Sequence, residues 1–137
     1  MDAATLVTML ESQPQRGVAR LLSWIEDENP RAVEVLQATW SRTGNSYVIG
    51  VTGPPGGGKS TLVDCLAVHA AAQGHAVGVL AVDPTSPFSG GAVLGDRLRM
   101  SDAQKRGIFI RSVATRGHLG GLTVTTRYLV NALELLG

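Results

Sequence analysis

A chain of 137 residues, 44% of them hydrophobic, has material for one domain with a modest core, and with only 4% aromatics that core must come from Ala, Val, Leu and Gly. Twelve basic residues against eleven acidic ones leave no electrostatic footprint for nucleic acid or an anionic membrane surface. There is no apolar run of the roughly 18 residues a membrane span needs. The N-terminus lacks the basic-then-apolar order of a secretory signal, and the single cysteine, Cys65, excludes an internal disulfide and points to a reducing, cytoplasmic compartment.

Residues 1–44 read as helical. Val18, Leu21, Leu22 and Ile25 recur at i, i+3, i+4 and i+7, the signature of one apolar helix face. Asn29-Pro30 reads as an N-cap and first helical residue, opening a helix that carries Val33, Leu36 and Trp40. Gly44-Asn45-Ser46 closes this stretch, whose apolar stripes need a partner, most simply the domain that follows. At Tyr47 the texture changes, which divides the chain into a helical segment, 1–44, and an α/β part, 45–137.

"YVIGV", 47–51, is short, β-branched and apolar, as expected of a strand buried on both faces. A glycine-proline loop follows, then a helix from Lys59 to Gln73 with Gly74 as its C′ stop. "AVGVLAV", 76–82, predicts a second buried strand ending at Asp83-Pro84, and after a loop rich in Pro, Ser and Gly a helix is expected near 95–105. "GIFIRSV", 107–113, predicts a third strand; "ATRGHLGG" is a loop, and a last helix spans about 122–136. Strands alternating with helices predict an α/β fold of three layers around a mostly parallel sheet.

The loop is the most informative stretch. Gly53-Pro54-Pro55-Gly56-Gly57-Gly58-Lys59-Ser60 matches G-x-x-x-x-G-K-[ST] at every fixed position, between a predicted strand and a predicted helix. Glycines at 53, 56, 57 and 58 let main-chain N–H groups turn inward with no Cβ in the way, and the helix N-terminus adds its positive end. Lys59 then reaches the β- and γ-phosphate oxygens, Ser60 is placed for Mg²⁺, and Thr61 completes the binding run. Both prolines pre-set φ on the outer arc without using the inner donors. Pro54 also stands where one branch of P-loop ATPases, the ParA/MinD type, carries a second lysine, which argues against that branch. The bland alternative is a Gly-rich turn beside a solvated lysine.

Further along, Asp83 ends a predicted parallel strand, at the sheet edge where ligands bind. Its position suits a carboxylate that orders Mg²⁺-bound or attacking water, or one that makes an Asx turn with Pro84-Thr85. Asp96 follows a glycine-rich stretch, and spacing leaves open whether it is a second metal-side carboxylate. Arg97, Arg99, Lys105, Arg106, Arg111 and Arg116 thicken the charge locally, as a solvated surface or as phosphate-handling groups. Cys65 is expected to be a buried, inert thiol, His118 a solvated loop residue, and His69 and His75 no metal site.

In order and spacing, "GVTGPPGGGKSTLVD", "AVDPTSPFSGGAVLGDRLRM" and "FIRSVATRGHLGGL" resemble the MeaB/ArgK family of P-loop G proteins, over roughly residues 15–137. The resemblance implies a GTPase that turns GTP into GDP and phosphate with Mg²⁺ and serves as chaperone to an adenosylcobalamin-dependent methylmalonyl-CoA mutase or a related B12-dependent acyl-CoA mutase. It implies Lys59 and Ser60 on phosphate and metal, Asp83 and Asp96 helping to hold Mg²⁺ and the hydrolytic water, and 84–99 as a first switch. The family is more than twice this long. Its Walker B strand, N-K-x-D motif and C-terminal dimerisation arm are not in these 137 residues, so the chain reads as an N-terminal portion without the arm of the family's homodimer. Three functions follow as expectations: the GTPase chaperone for the parent protein, a non-catalytic nucleotide- or partner-binding fragment for this chain alone, and a small-molecule kinase or ATPase of the wider class.

Overall fold

The structure is a computed structural model and describes residues 1–54, 56–83, 100–114 and 124–137. In chain order the elements are α1 (Ala3–Ser12), α2 (Pro14–Glu26), α3 (Arg31–Ala38), a 3-10 turn (Trp40–Arg42), α4 (Lys59–Ala72), β1 (Gly78–Asp83), α5 (Ser101–Lys105), β2 (Phe109–Ala114) and α6 (Val124–Glu134). They group into two compact units, Met1–Tyr47 with Leu122–Gly137, and Val48–Gly121.

The first unit is helical. Asp2 caps α1 by accepting the Thr5 N–H at 2.8 Å. The chain then turns through Gln13 into α2, whose first residue is Pro14. Here α1 and α2 come close: a Cβ on Gly17 would lie 2.9 Å from both Cα and N of Leu10. The expected α2 stripe, Val18, Leu21, Leu22 and Ile25, is buried, with Leu6 and Leu10 of α1. Asn29 and Pro30 open α3 as anticipated, with Pro30 at helical angles and Asn29 Oδ1 accepting the Arg31 N–H at 3.1 Å. The α3 face is shifted from the expected one. Ala32, Val35, Leu36 and Thr39 are buried, while Val33 and Trp40 are exposed. The helix ends before Trp40, whose 3-10 turn takes it off the apolar stripe. The partner of these stripes is α6, which packs against α2 and α3 and buries Leu129 and Ala132.

In the second unit α4 leads into a two-stranded parallel sheet. The helix ends in a Schellman motif: the His75 N–H reaches Ala70 O at 3.1 Å and the Gly74 N–H reaches Ala71 O at 3.0 Å, with Gly74 at φ 89. The predicted stop at Gly74 is thus present. β1 and β2 pair in parallel from Gly78 opposite Phe109 to Asp83 opposite Ala114, with α5 in the crossover. Val79 and Ala81 of β1 and Ile110 of β2 pack with Ala67 of α4, Met100, and Ala103 of α5. The α/β class and parallel pairing anticipated from the sequence are present.

Two further expectations fail. Residues 47–51 do not form a strand: Tyr47 is 92% exposed, Val48 61%, Ile49 65% and Val51 37%. A β-branched run becomes a strand when a neighbour supplies its ladder and covers its faces. Among the described residues the sheet holds β1 and β2 alone. Nor is Cys65 buried. It lies on the exposed side of α4 with Leu62 and Leu66, while Val63, Asp64, Ala67 and Val68 turn inward.

Candidate functional site

The glycine-rich loop is built from backbone. Gly56 and Gly58 adopt positive φ, 76 and 85. At Gly58 this left-handed conformation turns the chain directly into α4, and no side chain caps the helix there. The first intrahelical bond runs from the Leu62 N–H to Gly58 O at 3.0 Å. The N–H groups of Lys59, Ser60 and Thr61 therefore precede the helical ladder and stand at its positive end. Across the loop the Gly57 N–H donates to Pro54 O at 3.2 Å, and a Cβ on Gly57 would lie 3.2 Å from the same oxygen. Only a residue without a side chain fits there at no cost.

Lys59 closes the arch. Its Nζ donates to Gly53 O at 2.7 Å and to Pro54 O at 2.9 Å. Both carbonyls belong to the start of the loop, so the ammonium is held over the turn by charge-assisted bonds. The stem lies along Gly53, where an added Cβ would come 3.5 Å from Lys59 Cδ, an ordinary contact. Gly53, Gly56, Gly57 and Gly58 thus lie in the loop, and Lys59, Ser60 and Thr61 in the first turn of α4. Such an arrangement offers the first amides of a helix and one cation, the chemistry of a polyphosphate cradle.

Asp83 is the last residue of β1, opposite Ala114 in the register. Asp96 and His118 lie outside the described residues, as do Pro55 and the segment 84–99 read as a switch. Of the arginine-lysine cluster, Lys105 and Arg106 are exposed and Arg111 is half-buried in β2; Arg97, Arg99 and Arg116 are outside the description. Among the described residues no three His, Cys, Asp or Glu side chains gather as a metal site.

One residue the sequence reading passed over is Asp64. It is 8% exposed, and its Oδ1 accepts the Ala103 N–H at 2.8 Å. The signal was there: a lone acid inside the apolar run "LVDCLAV" is costly to bury without a partner.

The glycine arch, the lysine folded over it and the helix-and-parallel-strand layout define a P-loop nucleotide-binding fold. The chain belongs to the MeaB family, described as methylmalonyl Co-A mutase-associated GTPase MeaB, which matches residues 18–137. It is 37% identical to GTPase ArgK of Escherichia coli over 145 residues, covering 100% of this chain and 44% of that protein. It is 46% identical over 90 residues to the mitochondrial methylmalonic aciduria type A homolog of Mus musculus, covering 65% of this chain and 22% of that one. The crystal structure of an LAO/AO transport system kinase superposes with a TM-score of 0.70 at 27% identity, over 98% of this chain and 40% of that chain. The chain thus spans less than half the length of these relatives. No described helix is long and apolar enough to cross a membrane.

Proposed function

We propose that this chain is the phosphate-binding portion of a Mg²⁺-dependent GTPase that acts as chaperone to a methylmalonyl-CoA mutase or a related B12-dependent acyl-CoA mutase. The observation that carries the reading is the loop itself, with the Lys59 ammonium on the Gly53 and Pro54 carbonyls beside the first N–H groups of α4. The mutase as client is supported by the family's description and by the name of the mouse relative. Residues 1–44 are assigned to a helical segment and 45–137 to the first part of the GTPase domain. We place the protein in the cytoplasm, which its single cysteine supports.

The donors proposed for Mg²⁺ are the Ser60 hydroxyl and the carboxylates of Asp83 and Asp96. An all-oxygen set of this kind suits that cation, and Ser60 stands half-buried in the first turn of α4. The metal would neutralise charge on the β- and γ-phosphate oxygens. Lys59 would place a cation against the same oxygens, and the N–H groups from Gly56 to Thr61 would bind and orient the phosphate chain. Asp83 would orient the attacking water. On its own the chain is expected to bind nucleotide without turning GTP over.

Calorimetry with GDP and with ADP, in Mg²⁺, tests the reading. GDP should bind, and Lys59→Ala should abolish that binding. Since the N-K-x-D segment is not in these residues, the guanine assignment is tested on an extended chain that includes it, where ADP binding equal to GDP binding would remove it. GTP turnover by the present chain above the Lys59→Ala control would remove the inactive-portion assignment. The kinase named for the structural neighbour supplies the second reading, a small-molecule kinase or ATPase of the P-loop class; transfer of phosphate from nucleotide to a small molecule would favour it.

A further inference from the structure

A carboxylate is rarely buried without reason, and Asp64 is buried in the middle of α4, five residues beyond Lys59. Its partner comes from a distant stretch of chain. Ala103 is the third residue of α5, and its N–H precedes the first bond of that helix, which runs from the Gln104 N–H to Met100 O. Such an amide is normally satisfied by a side chain at the helix's own N-cap. Here the N-cap is Met100, which makes no side-chain cap bond. α4 supplies the acceptor instead. The bond is shielded by Ala67, Met100 and Ala103, all buried in one apolar cluster, so little water competes for it.

The other contacts between α4 and the cluster are apolar, and these set a distance between elements without fixing the position of a helix along its own axis. A hydrogen bond 2.8 Å long between Asp64 Oδ1 and the Ala103 N–H has direction and fixes both. Helix α4 is a single rod, and Asp64 stands only about 7.5 Å along it from Lys59. Any slide or roll at Asp64 is transmitted to Lys59, Ser60 and the arch they close, and phosphate binding through several short hydrogen bonds is sensitive to displacements of this size.

We propose that Asp64 is a positioning residue for the phosphate loop: by holding the Ala103 N–H it locks the axial position of the helix that presents Lys59 and Ser60. The proposal rests on the nucleotide-binding reading above and names a determinant of it outside the G-x-x-x-x-G-K-[ST] run. Asp64 touches no phosphate; it acts through α4.

The test uses the whole chain and three substitutions at Asp64, with Lys59→Ala alongside. Affinity for GDP in Mg²⁺ is measured by calorimetry well below each variant's unfolding temperature, and exchange of the Ala103 amide hydrogen is followed by NMR. Asp64→Ala should speed Ala103 exchange and weaken GDP binding about threefold to tenfold, the range of energetic coupling through one packed contact. Asp64→Asn keeps an acceptor oxygen in the same place and should restore most of both. Asp64→Val fills the space with apolar atoms and removes the directed bond; it decides the matter if the alanine variant does not fold, and it too should weaken GDP binding. Wild-type GDP affinity in folded Asp64→Val or Asp64→Ala, with the Ala103 amide exposed, would overturn the proposal and leave Asp64 a stabilising residue only. Unchanged GDP binding in Lys59→Ala would overturn the nucleotide reading instead, an outcome separate from any at Asp64.

Discussion

At Gly58 the chain leaves the arch and enters α4 with φ 85, and nothing lies within 4 Å of where a Cβ would be. An alanine there meets no atom, so its cost is purely conformational, roughly 1–2 kcal/mol for a left-handed L-residue. Gly58→Ala is therefore expected to lower the unfolding free energy by about that much and to weaken GDP binding, as read by urea titration and calorimetry. The glycines and Lys59 were legible because their spacing is a motif with a mechanism. The hydrogen bonds from Lys59 to Gly53 and Pro54 were not, since no spacing rule says where a flexible ammonium rests. Asp64 was legible only as an oddity, its partner being 39 residues away. Cys65 was misjudged because α4 is apolar nearly all round, so composition could not say which side faces the sheet.

Between elements, the tightest contact among the described glycines is that of Gly17 on the Leu10 backbone. Backbone cannot move aside as a side-chain tip can. Gly17→Ala should therefore force α1 away from α2 and cost about 1–3 kcal/mol, the usual range for overpacking, seen as a lower urea midpoint with loss of helical circular dichroism. The contact also shows what periodicity reads well and what it misses. The stripe of α2 stood out at i, i+3, i+4 and i+7, whereas nothing in the sequence says that Gly17 is the point where another helix crosses. The β1–β2 pair was read correctly, with boundaries off by one or two residues. The α3 face was misread because the helix stops short of Trp40, and a helical pattern extended past a helix end assigns the wrong side.

Across the whole chain, Glu134 at the end of α6 joins residues some 90 positions apart: its carboxylate accepts the Gly44 N–H and the Ser46 hydroxyl. Burial pushes this carboxyl up, but the hydrogen bonds from the Ser46 hydroxyl and the Gly44, Asn45 and Ser46 amides outweigh burial and hold it below its ordinary value of 4.5. A depressed carboxyl contributes stability that is complete above the unfolded value and is lost as pH falls through the folded one. Wild type and Glu134→Gln should therefore differ most in unfolding temperature near neutrality and converge below about pH 4.5. No local pattern announces such a clasp, because Glu134 and its partners lie 88 and 90 residues apart in the sequence. The same loop delivers the chain into 47–51, where Tyr47, Val48 and Ile49 stand in solvent. Four residues of high β-propensity among five, with no charge and no proline, form an adhesive ribbon, and any other extended chain is an acceptable match for it. Protein concentration thus becomes a variable of the molecule's own behaviour. Light scattering should climb with concentration and time at 37 °C, and Ile49→Lys, a single charge in the middle of the ribbon, should suppress the rise while leaving GDP affinity unchanged.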